Sequence, residues 1–213
     1  MSGELVDAAQ IAGDITSSSS SQRGLLTQLR ILGAIDPLTP TRLPGWTLAH
    51  VLTHVARNAS GHLEMLAGRP QYVRGMQSRN EDIEAGARRS WAELVDDVGA
   101  SCGELESAWA DLSDWSGTVT TVAGNRPKRM LPLLRQREVE IHRVDLGLGY
   151  EFSDMPSEYI RKDLRLWEMQ WRARKPMGLT PLPRAALAAP PHDRLAWFVG
   201  RLDIAGLEPA GMF

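Results

Sequence analysis

A chain of 213 residues with 43% hydrophobic content can bury one substantial core, and its net charge of −2 and pI near 6.2 offer nucleic acid no sequence-wide excess of positive charge. No apolar run approaches the roughly 20 residues that span a bilayer, and MSGELVDAAQ has neither a basic n-region nor a cleavage pattern, so no membrane partner and a cytoplasmic location are expected. Cys102 is the only cysteine, which excludes an internal disulfide and leaves any thiolate chemistry to Cys102 or to a thiol supplied from outside.

From Glu4 to Leu32, apolar residues recur at spacings of three and four on both sides of a serine-rich interior, Thr16 to Ser21. That reads as helix with a solvated face or a frayed break at the serines. Pro37, Pro40 and Pro44 then force a loop. A helix follows, with Thr47 as N-cap, an apolar stripe of Leu48, Val51, Leu52, Val55 and Leu63, and Gly68 as its stop. Arg79 to Leu112 is mostly helical, with Ser90 and Glu93 in capping-box spacing. Cys102 lies on this stretch among small residues and reads as a small buried side chain. Val119 to Val122, β-branched and bounded by glycines, reads as a short strand or extended loop. Leu131 to Gly147 and Asp154 to Trp171 are the remaining helices of this part, and four principal helices, two of them bearing candidate ligands, predict an antiparallel four-helix bundle over 1–174. Lys175 to Pro191 holds five prolines and reads as a linker, so 175–213 forms a short, reduced C-terminal appendage with one more helix, His192 to Arg201.

Two pairs of side chains carry candidate chemistry. Glu138 and His142 are four residues apart on one helix and project from the same face; His50 and His54 have the same spacing on another. Two helices that each offer ligands suggest one metal between them. A set of imidazole and carboxylate without thiolate suits zinc, nickel or iron better than calcium or magnesium. Three ligands and an open position would make the site catalytic. Asp145, three residues after His142, can orient that imidazole or form a late-helix ion pair.

GWTLAHVLTHVARNA, SRNEDIEAGA and REVEIHRVDLGLG resemble, in order and spacing, three signature blocks of the mycothiol-dependent maleylpyruvate isomerase family, which belongs to the DinB-like metal-binding four-helix bundles. The resemblance covers about residue 43 to about residue 150 and implies a mainly α, DinB-like fold. It implies a divalent metal, usually zinc, on His54, Glu138 and His142, with His50 at a histidine that is not a ligand. It also matches the helix HDRLAWFVGR to a C-terminal helix ending in a functional arginine, here Arg201, although the strands expected around that helix are short or missing.

The implied function is that of a thiol-dependent cis-trans isomerase of gentisate breakdown. A metal-bound thiolate adds to the double bond of maleylpyruvate, the resulting single bond turns, and elimination yields fumarylpyruvate. The implied partners are a small dicarboxylate and a low-molecular-weight thiol, with mycothiol ahead of glutathione or cysteine, and the protein is a monomer or homodimer. Two carboxylates need cations, for which Arg201, Arg137, Arg79 and Arg57 are candidates. The competing readings are another metal- and thiol-dependent S-transferase of the same superfamily, or a non-catalytic metal-binding bundle.

Overall fold

The structure is a computed structural model that describes residues 8–174 and 180–212. They fall into two compact units, Met1–Leu148 and Gly149–Phe213. In chain order the first unit holds α1 (Ala8–Ile31), α2 (Leu48–Leu66), the short α3 (Gly75–Gly86), α4 (Trp91–Asp111), the hairpin strands β1 (Thr118–Thr121) and β2 (Gly124–Pro127), and α5 (Leu131–Asp145). The second holds α6 (Ser157–Ala173), α7 (Arg184–Ala188) and α8 (Pro191–Phe198).

The expected mainly α bundle is present and is made by α1, α2, α4 and α5. Side-chain pairs fix its directions. Gln22 meets Glu106 while Leu26 lies by Gly99, and Arg135 meets Asn58 while Glu138 meets His54, so α1/α4 and α2/α5 run antiparallel. Gln136 meets Ser17 while Arg143 meets Gln28, and Arg57 meets Asp97 while Thr53 meets Arg89, so α1/α5 and α2/α4 run parallel.

Two apolar layers close the bundle. One gathers Leu25, Leu29, Leu52, Val55, Leu94, Val98 and Val139; the other gathers Ile11, Met65, Leu105, Trp109, Val119 and Leu131. Each fully buried aliphatic or aromatic side chain in them contributes roughly 1.5–3 kcal/mol of transfer free energy. Between them lies a polar layer. Arg135, fully buried, donates to Gln22 Oε1, Val55 O, Asn58 Oδ1 and Cys102 Sγ at 2.8, 2.8, 2.9 and 3.4 Å.

That layer overturns the reading of the serine run. α1 is continuous through Thr16 to Ser21, and Ser18, Ser19 and Ser21 are buried rather than solvated or frayed. Gln136 donates to Ser17 Oγ at 2.8 Å and Ser21 Oγ at 3.0 Å, and Ser21 donates to the buried Glu140 carboxylate. The low helix propensity of serine is outweighed because α5 supplies partners that an isolated helix lacks.

Local signals account for several boundaries. Ser90 and Glu93 form the expected capping box, the Ser90 N–H donating to Glu93 Oε2 at 2.8 Å and the Glu93 N–H to Ser90 Oγ at 3.4 Å. The extended segment at Val119 proves to be one arm of a hairpin whose second arm, GNRP, carries no strand propensity. Gly86 is required by packing: a Cβ there would lie 2.3 Å from Thr53 Cγ2, so its absence lets α3 close on α2.

The sequence-based boundary after Arg174 differs from the observed division at Leu148. Helix α6 packs with α8, through Trp167, Trp171, Trp197 and Phe198, whose neighbouring ring centroids lie 5.0 to 6.4 Å apart. Asp163, fully buried, accepts from Tyr159 Oη and Trp167 Nε1, both at 3.1 Å. An apolar stripe on α6 thus finds its partner beyond the proline segment, which no pattern within α6 reveals. The first five residues of that segment, 175–179, lie outside the described residues; part of the remainder is helical, as α7.

Candidate metal centre

Helices α2 and α5 cross so that His54 faces Glu138 and His142, which stand one turn apart on α5. His54 Nε2 lies 3.0 Å from Glu138 Oε2, and His142 Nε2 lies 3.6 Å from the same oxygen. One ligand atom from each of the three falls within 4.8 Å of the others, close enough for one cation to be shared. The two imidazole centroids are 4.5 Å apart at 84°, and both histidines are buried.

Burial, with the positive end of His142 nearby, lowers His54 to about 4, so it is neutral at pH 7. For Glu138, burial favours the neutral acid, but hydrogen bonds from His142 and His54 outweigh it and hold the carboxyl well below its usual range. His142 is also opposed by burial, yet its hydrogen bonds to Asp145 and Glu138 raise it above the usual imidazole value. Glu138 is therefore an anion and His54 a neutral ring, the charge states a cation needs, while His142 binds its proton more firmly than a free imidazole does, in competition with a cation.

The outer ring nitrogens differ. His142 Nδ1 donates to the buried Asp145 Oδ2 at 2.9 Å, the carboxylate backing that a ligating imidazole normally has. Asp145 thus takes the orienting place open to it in the sequence. His54 Nδ1 instead accepts from Arg79 Nη2 at 2.7 Å.

The remaining sequence candidates are placed as follows. His50 is outside the cluster: its Nδ1 accepts from the Thr47 N–H at 3.2 Å and meets Thr47 Oγ1 at 2.8 Å, so it closes the N-terminus of α2, and its Nε2 lies 3.6 Å from Glu84. The Thr47 hydroxyl therefore engages a ring nitrogen. Arg57 donates to Asp97 at 2.6 Å. Arg137 is half-buried on α5 beside Glu138 in sequence. Cys102 is buried, which pushes its thiol up, and its Sγ accepts from Arg135. Arg201 belongs to the second unit, three residues past the end of α8, where its N–H donates to Ala196 O at 2.8 Å and its Nη1 to Val199 O at 2.9 Å.

Several neighbours were not singled out from the sequence. The Trp46 ring lies 5.7 Å from that of His54, edge-on, and the Arg79 guanidinium carbon lies 5.8 Å from Trp46 and 5.9 Å from Tyr72. Trp46 stands in the first signature block, which was the available signal; Tyr72, on a loop, had none. His62, two turns beyond His54 on α2, is buried, and burial together with the Arg135 charge lowers it to about 3.

The sequence profile of the mycothiol maleylpyruvate isomerase N-terminal domain matches residues 21–147. Two crystal structures are similar to the chain. One is of the mycothiol-dependent maleylpyruvate isomerase, at 26% identity and a TM-score of 0.75; the other is of a histidine-to-alanine mutant of such an enzyme, at 25% and 0.77. Each likeness covers 90% of this chain and 89% of the other, a share that the first unit alone cannot supply. No curated protein matches the sequence significantly.

Proposed function

The chain belongs to the mycothiol maleylpyruvate isomerase family, whose N-terminal profile spans more than half of its length, and from that premise we propose that it isomerises maleylpyruvate to fumarylpyruvate with the help of a thiol. The observation that carries this reading is the convergence of His54 Nε2, Glu138 and His142 Nε2 on one point between α2 and α5. The donor set fits a borderline cation such as zinc: two imidazoles, one carboxylate held ionised, and a buried aspartate behind His142. When bound there, such a cation holds a coordinating thiol in its nucleophilic, deprotonated form near neutral pH.

The chain's own residues supply the rest. His54 presents a ring that is neutral overall and Glu138 an anion. Trp46 packs edge-on beside the His54 ring. Thiol sulfur adding to the cis double bond converts it to a single bond, rotation follows, and elimination restores both the double bond and the thiol, so no co-reactant is consumed. The thiol is mycothiol by family, with glutathione and cysteine as the alternatives. Arg201 is assigned to a carboxylate of the substrate or of the thiol adduct, for which its planar guanidinium is suited.

The test follows maleylpyruvate loss by the purified protein with each thiol in turn. Turnover with mycothiol, abolished by chelation and restored by zinc, is expected. Arg201→Lys and Arg201→Ala should lose roughly thirty- to thousand-fold in kcat/KM, about 2–4 kcal/mol, with metal content unchanged. Turnover that needs neither thiol nor metal would sink the reading, and thiol consumed in step with substrate would make the chain an S-transferase.

A further inference from the structure

The two imidazoles of the cluster are backed by opposite kinds of group. A ring that gives Nε2 to a cation keeps its proton on Nδ1 and needs an acceptor there. Asp145 is such an acceptor for His142, at 2.9 Å. Arg79, which holds His54 Nδ1 at 2.7 Å, has donors only. His54 therefore carries its proton on Nε2 in this arrangement and directs it to Glu138. Once His54 Nε2 turns to a cation, two N–H groups would face each other across 2.7 Å, and Arg79 has to leave.

The surroundings of Arg79 show where it goes. Its Nε is buried without a hydrogen-bond partner, while Nη1 donates to Asn80 Oδ1 at 2.9 Å. Beside it lies a cavity of about 200 Å³ whose wall includes Arg57, Ser60, Tyr72, Ser78 and Arg79 itself. The Nε of Arg57 is likewise buried without a partner. The acidic groups on the same wall, Glu64 and Asp82, are paired with Arg69 and Arg74. Of the guanidinium groups on this wall, Arg57 is paired with Asp97 and Arg74 with Asp82, whereas Arg79 meets an amide oxygen and a ring nitrogen, so its charge and its planar, two-pronged geometry match a carboxylate.

We propose that Arg79 couples cation loading to carboxylate binding: it guards His54 Nδ1 while the cluster is metal-free and, released when the cation binds, receives a carboxylate of a small dicarboxylate at this cavity beside Arg57. The proposal rests on the reading that His54, Glu138 and His142 hold a cation. Because binding linkage is reciprocal, the carboxylate must tighten the cation by the factor that the cation tightens the carboxylate.

The experiment measures zinc affinity by competition with a chromophoric chelator, with and without maleate at constant ionic strength, for wild type, Arg79→Gln and Arg79→Lys. Maleate withdraws free zinc equally from all three, so the variants serve as the reference. Relative to them, maleate should tighten zinc on wild type by about fivefold or more. Without maleate, Arg79→Gln should bind zinc at least as tightly as wild type, since nothing holds His54 Nδ1 in the wrong hydrogen-bonding sense. Arg79→Lys, which lacks the two-pronged geometry, should lose most of the maleate effect and carries the comparison alone should the glutamine variant fail to fold. No maleate effect in wild type, or one that survives in the variants, overturns the proposal. Wild type that binds no zinc in either buffer overturns the cation reading and the proposal with it.

Discussion

Replacing Asp145 by asparagine removes one negative charge behind His142 and keeps the shape and an acceptor oxygen. The two groups are buried and 2.9 Å apart. Full unit charges at that distance would attract by roughly 6 kcal/mol at an effective dielectric constant of 20, but a ligating ring carries only part of the cation's charge. Partners of this kind alter metal affinity about 10- to 100-fold, which is about 1.4–2.7 kcal/mol. Asp145→Asn should fall in that range in a zinc competition titration at neutral pH, with an unchanged far-UV spectrum. The pH dependence follows from the protons. Asp145 and Glu138 raise His142 against burial, so in wild type a proton competes with the cation. The variant loses the Asp145 contribution, His142 takes its proton at lower pH, and the affinity deficit should shrink on acidification. A variant matching wild type at neutral pH would refute the argument that Asp145 tunes the ligand.

Cys102→Ser should keep turnover within about twofold, because a buried thiol pushed up and tied to Arg135 is no nucleophile; a collapse of activity with unchanged fold would make it one. Arg135→Met should cost about 3–5 kcal/mol in urea unfolding, since Gln22, Val55 O and Asn58 lose a buried donor; a loss under about 1 kcal/mol would contradict a working polar layer. His62 is neutral in the folded protein down to about 3 and titrates near the ordinary 6.5 when unfolded. Its folded value is the lower one, so the unfolded chain binds the extra proton and stability falls as pH drops from about 6.5, by up to about 1.4 kcal/mol per pH unit. His62→Gln should flatten the slope of unfolding free energy between about pH 6 and 4 relative to wild type; parallel slopes would rule His62 out.

How much of this was legible in the sequence depends on where each partner lies. Helix periodicity showed α2, α4 and α5 because their stripes are local, and the Ser90 and Glu93 cap was visible because its two halves are three residues apart. Glu138 and His142 declared themselves by one-turn spacing, whereas the choice between His50 and His54 came from family resemblance. The structure supplies a physical ground for setting His50 aside, since its Nδ1 is occupied by the N-terminus of α2. The serine run misled because a buried serine and a solvated one look alike until Gln136 and Glu140, more than a hundred residues away, are placed beside them. For the same reason α6 was counted with the bundle, although its tryptophans meet Trp197 and Phe198.

The polar layer also bears on why the ligand cluster holds its geometry. Helices that meet through leucine and valine alone can slide past one another at little cost, since apolar contact is not directional. Arg135 stands one turn before Glu138 on α5, and it donates to the carbonyl of Val55 and the amide oxygen of Asn58, which lie in the turn that follows His54 on α2. A one-residue slip would break both bonds at once and leave a buried guanidinium without acceptors, a cost the apolar layers cannot offset at that level. Register between the helix that carries His54 and the helix that carries Glu138 and His142 is thus set one turn away from the cluster by directional bonds.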